Sequence, residues 1–374
     1  MKTTCISGFM SLLFALAFST TAHAQKDPLE TVQSKAANIS LYKERAMKMS
    51  PAMKAKVSAI EQEVATKKLT FTVGYTAALD FETDQLCGVK GTKQPSEQAI
   101  KAQEALYNET LKKAGINVTV ESSWNMPDPG PFWYSGFMGY LPPIRDQNGC
   151  GSCWAFAVTS AFETAHKKFY NAFVDLSEED LIDCGHIGTV DVGGCKGGSS
   201  TNALEYTRLS GAVSEADNPY RCFTRTDGFL CPQVSLHQYF TLSWGQMSLS
   251  ATPEQIKNMI KAYGSVITYM RAGLNSFSGY TSGVYNGYPN TTPYDTDHAV
   301  TLVGWNDTLN AWIVRNSWGK DWGMNGYAYV NYNSCNIAKY VFYAWPKKAP
   351  VPGAVAPPVN TAQVQISPII AENK

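Results

Sequence analysis

The chain has 374 residues, 44% of them hydrophobic, and its 31 basic side chains balance 31 acidic ones. The length exceeds that of one ordinary domain, and the apolar content suffices for a sizeable core. The balanced charge argues against a nucleic-acid partner, because a polyanion is bound mainly through an excess of Lys and Arg.

The first 24 residues have the pattern of a signal peptide. Lys2 supplies a positive charge, residues 8–18 are a short apolar stretch, and Ala22 and Ala24 suit a cleavage site before Gln25. The apolar stretch is too short to span a bilayer. We therefore expect a secreted or periplasmic protein with no membrane span. Because that compartment is oxidising, the cysteines left after loss of the signal should favour disulfides.

Residues 25–120 form a first block that is rich in Lys, Glu, Gln and Ala. We predict helices over 27–68 and 95–114, and a strand over 69–75 because its apolar residues alternate. Gly115 suits a C-cap of the second helix. Apolar residues of the first helix recur at spacings near 3.6: Leu41, Met49, Met53, Val57, Ile60 and Val64.

Residues 121–346 form a second block, in which Trp, Tyr, Gly and Cys become frequent. We predict a helix after Cys153, followed later by strands over 299–305, 311–315 and 326–330. Residues 347–374 contain several prolines and no periodic apolar pattern. Such a composition predicts a flexible tail.

Cys153 is the candidate nucleophile, in the segment Gln-Asn-Gly-Cys-Gly-Ser-Cys-Trp-Ala-Phe-Ala. Its sulfur would lie at a helix N-terminus, where the macrodipole and free N–H groups favour a thiolate. A thiolate that attacks a carbonyl carbon needs a histidine as proton shuttle, a group that orients this histidine, and donors for the oxyanion.

His298 is the histidine with the most suitable context. It precedes the apolar strand 299–305, and the next strand leads into Asn316. Antiparallel pairing of these two strands would bring Asn316 beside His298, and Trp318 could shield that contact from water. The sequence therefore predicts a Cys-His-Asn site with no metal and no cofactor.

These segments together resemble the papain-like (C1) cysteine peptidases. The resemblance rests on Gln147, the Cys-Gly-Ser-Cys-Trp segment, Asp-His-Ala-Val at 297–300 and Asn-Ser-Trp-Gly at 316–319. It is supported by Leu-Ser-Glu-Glu-Asp-Leu at 176–181 and Gly-Cys-Lys-Gly-Gly at 194–198. It implies an α+β fold with a helical left domain and a β-barrel-like right domain, preceded by a mainly helical propeptide.

The resemblance also implies residue roles. Cys153 would be the nucleophile, His298 the general acid/base and Asn316 its orienting partner, while Gln147 and the N–H of Cys153 would form the oxyanion hole. Substrate would contact these positions: Gly197, Gly198, Ser199, Ser200, Thr296, Ala299, Trp318 and Tyr340. Family position suggests a Cys150–Cys195 bridge, and pairs Cys184 with Cys222 or Cys231. Cys335 would then bridge whichever of those two is left, or be free, and Cys87 has no obvious partner.

The expected function is a secreted cysteine endopeptidase, made as a zymogen whose residues 25–120 block the cleft. The first helix lacks the family's usual long propeptide motif, so the propeptide would be atypical. Peptide or protein substrates and the chain's own propeptide are the expected partners, with the protein a monomer. The alternatives are a catalytically silent papain-fold binding module and an exopeptidase. A Cys-x-x-Cys redox site at Cys150 and Cys153 would leave the His298 and Asn316 segments unexplained. A zinc site at Cys150, Cys153, Cys184 and Cys195 is disfavoured because export favours disulfides.

Overall fold

The computed structural model of the protein describes residues 32–90, 95–117, 130–222, 231, 236–292, 294–349 and 368–372. The predicted signal peptide and residues 350–367 of the predicted tail lie outside these ranges. None of the helices within them is both long enough and apolar enough to span a bilayer.

Helices and strands are mixed along the chain, which confirms the predicted α+β class. The helices are α1 (Val32–Lys48), α2 (Pro51–Thr66), α3 (Thr83–Leu86), α4 (Glu97–Lys113), α5 (Cys153–Tyr170), α6 (Glu178–Cys184), α7 (Ser200–Leu209), α8 (Pro253–Tyr263), α9 (Asn275–Ser278) and α10 (Pro368–Glu372). The strands are β1 (Phe71–Val73), β2 (Phe132–Tyr134), β3 (His186–Ile187), β4 (Val190–Asp191), β5 (Gly193–Gly194), β6 (Gly197–Gly198), β7 (Thr241–Gln246), β8 (Val266–Met270), β9 (Tyr280–Tyr285), β10 (His298–Asn306), β11 (Ala311–Arg315), β12 (Tyr327–Asn331) and β13 (Val341–Pro346).

The first block contains α1–α4 and β1. The helix predicted over 27–68 is divided into α1 and α2, because Ser50 caps α2 by accepting a hydrogen bond from the Met53 N–H at 3.1 Å. Pro51 follows at the first helical position, which its fixed φ favours. The predicted second helix is α4, which Ser96 caps through the Ala99 N–H. The predicted strand shortens to β1.

One mixed sheet supports the second block. Its strands follow the order β1-β9-β12-β11-β10-β8-β13-β7, with β2 paired to β10. Within the described residues this sheet does not close into a barrel, because β1 and β7 form its two ends. The first block contributes at both ends: β1 pairs with β9, so that β9 is not an edge strand, and α4 packs against β7. Covering an edge strand removes unpaired backbone groups from solvent.

The helical part of the second block is built around α5, whose first fourteen residues are all buried. This helix contacts β10, β13 and α7. Its N-terminus therefore reaches the start of β10, so that Cys153 and His298 come from opposite halves of the molecule. The predicted strands over 299–305, 311–315 and 326–330 are β10, β11 and β12, within one residue at each end.

The C-terminal residues differ from the prediction of a flexible tail. Residues 368–372 form α10, in which Ile369 is fully buried and Ile370 is 2% exposed. The proline content of the segment suggested disorder, but two adjacent isoleucines supply enough apolar surface to hold its end against the protein.

Candidate active site

Cys153 is the first residue of α5 and is fully buried. Its sulfur accepts hydrogen bonds from two backbone N–H groups, that of Gly88 at 3.3 Å and that of Ala299 at 3.5 Å. Ala299 directly follows His298, so this contact places the candidate histidine next to the candidate nucleophile. Gly88 belongs to the first block, which thus reaches the sulfur itself.

His298 and Asn316 form a direct hydrogen bond, with 2.8 Å between Nε2 and Oδ1. The register of β10 and β11 explains the contact. Thr301 lies opposite Arg315, so Asn316 continues that register opposite Val300, and His298 shares its face of the sheet two positions away. Antiparallel pairing was the arrangement expected from the sequence.

Trp318 lies against the His298 ring, with 4.8 Å between the ring centroids. The Trp318 side chain is buried, and Trp322 and Phe277 pack against it at 5.3 and 5.4 Å. This aromatic cluster keeps water from the His298–Asn316 hydrogen bond. An amide acceptor on Nε2 favours the tautomer that carries the proton there, which leaves the lone pair on Nδ1.

Gln147 is fully buried and has both ends of its side-chain amide engaged. Its Oε1 accepts from the Ser317 hydroxyl at 2.6 Å, which orients the amide. Its Nε2 donates to the carbonyls of Cys150 and Leu86, at 2.8 and 3.0 Å. Leu86 is a residue of the first block, so a carbonyl oxygen of that block already occupies the candidate oxyanion donor.

Residues 87–90 of the first block, which follow α3, run along the cleft as an extended chain. Gly198 N–H donates to the Gly88 carbonyl at 2.8 Å, and Lys90 N–H donates to the Gly198 carbonyl at 3.0 Å, in parallel pairing. Val89 N–H donates to the Asp297 carbonyl at 2.9 Å on the opposite wall. Backbone bonds from both walls therefore hold the segment, independently of its side chains.

Burial controls the ionisation of this site. Loss of solvent raises the pKa of the Cys153 thiol to about 11, although N–H groups of Ala299, Gly88 and Trp154 lower it. Loss of solvent likewise lowers the pKa of His298 to about 4, against the opposing effects of the Asn316 hydrogen bond and the Leu86 carbonyl. The thiolate expected from the helix N-terminus is thus not the favoured form here, because desolvation outweighs the helix effect while the first block covers the sulfur.

A cleft of about 320 Å³ continues beyond Gly198. Of the predicted substrate residues, Gly197, Gly198, Ser199 and Tyr340 line it. Four others do not: Ser200, Thr296, Ala299 and Trp318. Ser200 is fully buried and donates to the Trp154 carbonyl at 3.2 Å, so it has a packing role in α7. Several lining residues were not predicted from the sequence: Asp191, Val192, Tyr269, Phe342 and Ile370.

The structure forms two disulfides, Cys150–Cys195 and Cys184–Cys231. The first is the expected bridge, and the second selects Cys231 from the two partners left open. Of the two possibilities left open for Cys335, a bridge or a free thiol, the structure shows the free thiol, and Cys222 and Cys87 are free as well. Cys335 is buried in the sheet core, whereas Cys222 lies at the loop near Gln147, with 3.4 Å from its sulfur to the Gln147 carbonyl oxygen.

Two supporting residues were not recognised from the sequence. Tyr220 donates its hydroxyl to the Gln147 carbonyl at 2.7 Å and lies 3.1 Å from the Ser152 hydroxyl, so it braces the loop before Cys153. Ser317 orients Gln147, as described above. Ser317 lies within the Asn-Ser-Trp-Gly segment, which could have identified it. Tyr220 follows Pro219, and this pair carries no comparable signal.

Comparison with known proteins identifies a family. The profile of the papain family cysteine proteases matches residues 134–345, more than half of the chain. A "Cysteine protease" of Blomia tropicalis is 36% identical over 211 residues, covering 54% of this chain and 62% of that protein. "Thiol protease aleurain" of Arabidopsis thaliana is 35% identical over 211 residues, covering 55% of this chain and 57% of that protein.

A solved structure agrees as well. It comes from a study of antibody cross reactivity between the mite allergens Blo t 1 and Der p 1, and has a TM-score of 0.54 at 29% identity. The match covers 68% of this chain and 96% of that one. The fold is therefore papain-like, and the chain belongs to the papain family of cysteine proteases, as the sequence resemblance indicated. The chain spans less than two thirds of the length of each of the two curated relatives.

Proposed function

We propose that this chain is the zymogen of a secreted cysteine endopeptidase that hydrolyses peptide bonds through Cys153, His298 and Asn316. The observation that carries the proposal is the constellation at the start of α5. A buried cysteine at a helix N-terminus receives the N–H of the residue after His298, and His298 in turn is held by an amide at 2.8 Å. The nucleophile thus lies beside the residue that follows the base, and the base is hydrogen-bonded to its orienting group.

The chemistry follows from the tautomer that Asn316 selects. With the proton on Nε2, the Nδ1 lone pair of His298 takes the proton of Cys153 once the cleft is open. The thiolate attacks the scissile carbonyl carbon, and a C–S bond forms as the oxygen becomes negative. The Gln147 amide and the N–H of Cys153 donate to this oxygen. The imidazolium then protonates the leaving amine as the C–N bond breaks, and a water deprotonated by His298 hydrolyses the thioester.

Residues 85–90 would hold the enzyme latent for a chemical reason. The group that faces the sulfur is the Gly88 N–H, a hydrogen-bond donor, rather than a carbonyl carbon that could be attacked. The Leu86 carbonyl meanwhile occupies Gln147. If Gly198 contacts substrate residues before the scissile bond, as the family resemblance implies, the segment runs opposite to a substrate. It therefore blocks the cleft without presenting a cleavable bond in register.

The test compares three chains beginning at Gln25 with their processed forms on a fluorogenic peptide blocked at both ends. The processed wild type should cleave the peptide, and the unprocessed chain should be at least tenfold slower. Cys153→Ala should abolish turnover, whereas Cys335→Ala, which removes another buried free thiol, should retain it. Equal rates before and after processing would disprove the zymogen, and a requirement for a free peptide terminus would disprove endopeptidase action. A processed wild type that cleaves neither this peptide nor the same peptide with free ends would identify a silent module.

A further inference from the structure

The C-terminal helix α10 lies against two parts of the molecule that processing would separate. It contacts α4 of the first block and α7 of the peptidase domain. Its two isoleucines are almost completely withdrawn from solvent, with Ile369 at 0% and Ile370 at 2% exposure. Burial of two isoleucine side chains is a substantial favourable contribution, so the contact is a docked interface rather than a passing one.

The apolar environment of α10 is continuous with the active-site wall. Both isoleucines belong to the same buried cluster as Cys153, Trp154 and Trp244. Ile370 also lines the cleft beyond Gly198, together with Lys90 and Pro95 of the first block. The C-terminal residues of the chain therefore form one wall of the space that continues from the candidate nucleophile past Gly198.

The first block is anchored at the same place. Gln103 of α4 donates its side-chain amide to the Trp244 carbonyl at 2.7 Å, and the Trp244 indole donates to Glu205 of α7 at 2.9 Å. Tyr107 of α4 is fully buried and lies 2.7 Å from the Tyr263 hydroxyl. Trp244 thus connects α4 and α7, and α10 packs against both of these helices.

We infer that residues 368–372 are a second inhibitory element, which clamps α4 onto the peptidase domain and closes the cleft beyond Gly198. The inference rests on the proposed function for its consequence, which is latency. Because α4 forms part of the surface on which α10 packs, each of these two helices should bind the rest of the protein more weakly when the other is absent. Such coupling is reciprocal. Full opening of the substrate cleft would then require release at both ends of the chain.

The decisive experiment uses the catalytically inert Cys153→Ala chain, so that neither peptidase activity nor self-cleavage affects the measured exchange rates. Hydrogen exchange of the α4 amides is followed by mass spectrometry in the full chain, in a chain ending at Ala349, and in Ile369→Asp. Exchange in α4 should accelerate at least tenfold in the latter two. Phe173→Asp, which alters an exposed apolar residue beyond the far end of α5, should leave it unchanged.

A synthetic peptide of residues 366–374 added to the shortened chain should restore protection of α4, whereas the same peptide with Ile369 and Ile370 changed to Ser should not. The peptide arm keeps the inference testable if Ile369→Asp fails to fold. Unchanged α4 exchange in the shortened chain would overturn the clamp. Accelerated exchange in a protein whose processed wild type cleaves no peptide would instead leave the clamp standing and refute the proposed function.

Discussion

Replacing Gly88 by alanine should activate the unprocessed chain without changing any residue of the second block, residues 121–346. A Cβ at this position would lie 1.7 Å from the carbonyl oxygen of Gly151 and 2.4 Å from its carbonyl carbon. Both atoms belong to the backbone just before Cys153, so they cannot rotate away. The segment must therefore lift, and it loses the Gly88 N–H contact with the sulfur and weakens the pairing with Gly198.

The size of the effect follows from these losses. Overpacking against fixed backbone costs about 1–3 kcal/mol, and a lost hydrogen bond costs about 1 kcal/mol. The closed state should therefore be weakened by about 2–4 kcal/mol. Since about 1.4 kcal/mol is a factor of ten, the open fraction of the unprocessed chain should rise roughly 30- to 700-fold, as long as it remains small.

The assay is the initial rate of peptide hydrolysis by the unprocessed chain, read before any cleavage product appears on a gel. Gly115→Ala is the matched control, because it lies in the same block with no heavy atom within 4 Å of its added Cβ. Its backbone strain, at φ +76°, should cost only about 1 kcal/mol at the end of α4. A Gly88→Ala chain as latent as the wild type would refute the placement of this segment on the sulfur.

Three further outcomes are expected. Asn316→Ala should lower kcat of the processed enzyme about tenfold or more with little change in KM, because the ring of His298 loses its orientation; an unchanged kcat would contradict that role. Burial raises the pKa of the Glu178 carboxyl to about 7, above its ordinary value. The folded state therefore favours the protonated carboxyl, and the contribution of this group to folding stability is complete below about pH 4.5 and is lost as pH rises through 7. Glu178→Gln should therefore raise Tm more at pH 8 than at pH 5, and an equal gain at both would refute the shift. Thiol titration of the unfolded, unreduced chain from Gln25 should find four thiols, Cys87, Cys153, Cys222 and Cys335, whereas two would indicate a further bridge.

The candidate catalytic residues could be found from the sequence because each stands in a short segment with its own chemical logic. Cys153 opens an apolar helical run, and His298 and Asn316 flank strands that are visible as short apolar runs. The register that joins them follows from antiparallel pairing, which local strand patterns already favour. The disulfide partner of Cys184 could not be chosen in the same way, because pairing depends on the Cα separation, 5.6 Å to Cys231.

The first block shows where such reasoning stops. Its helices and strand were predictable from periodicity, but no pattern in residues 85–90 predicted that the Gly88 N–H would face Cys153. The break between α1 and α2 did have a local signal, the Ser50-Pro51 pair, which the apolar periodicity on both sides obscured. The prolines around Ile369 hid the signal for its docking. The amino-acid composition is averaged over a whole segment, whereas burial differs from one side chain to the next.

The sequence by itself determined the family, the α+β class and the residues proposed for catalysis, because motif chemistry and periodicity act over a few neighbouring positions. Only the tertiary structure decided the charge state of the site and the identity of what covers it. A helix N-terminus favours a thiolate, yet the pKa of Cys153 rises to about 11. Desolvation depends on every atom that excludes water, and here those atoms include a backbone 65 positions earlier in the chain.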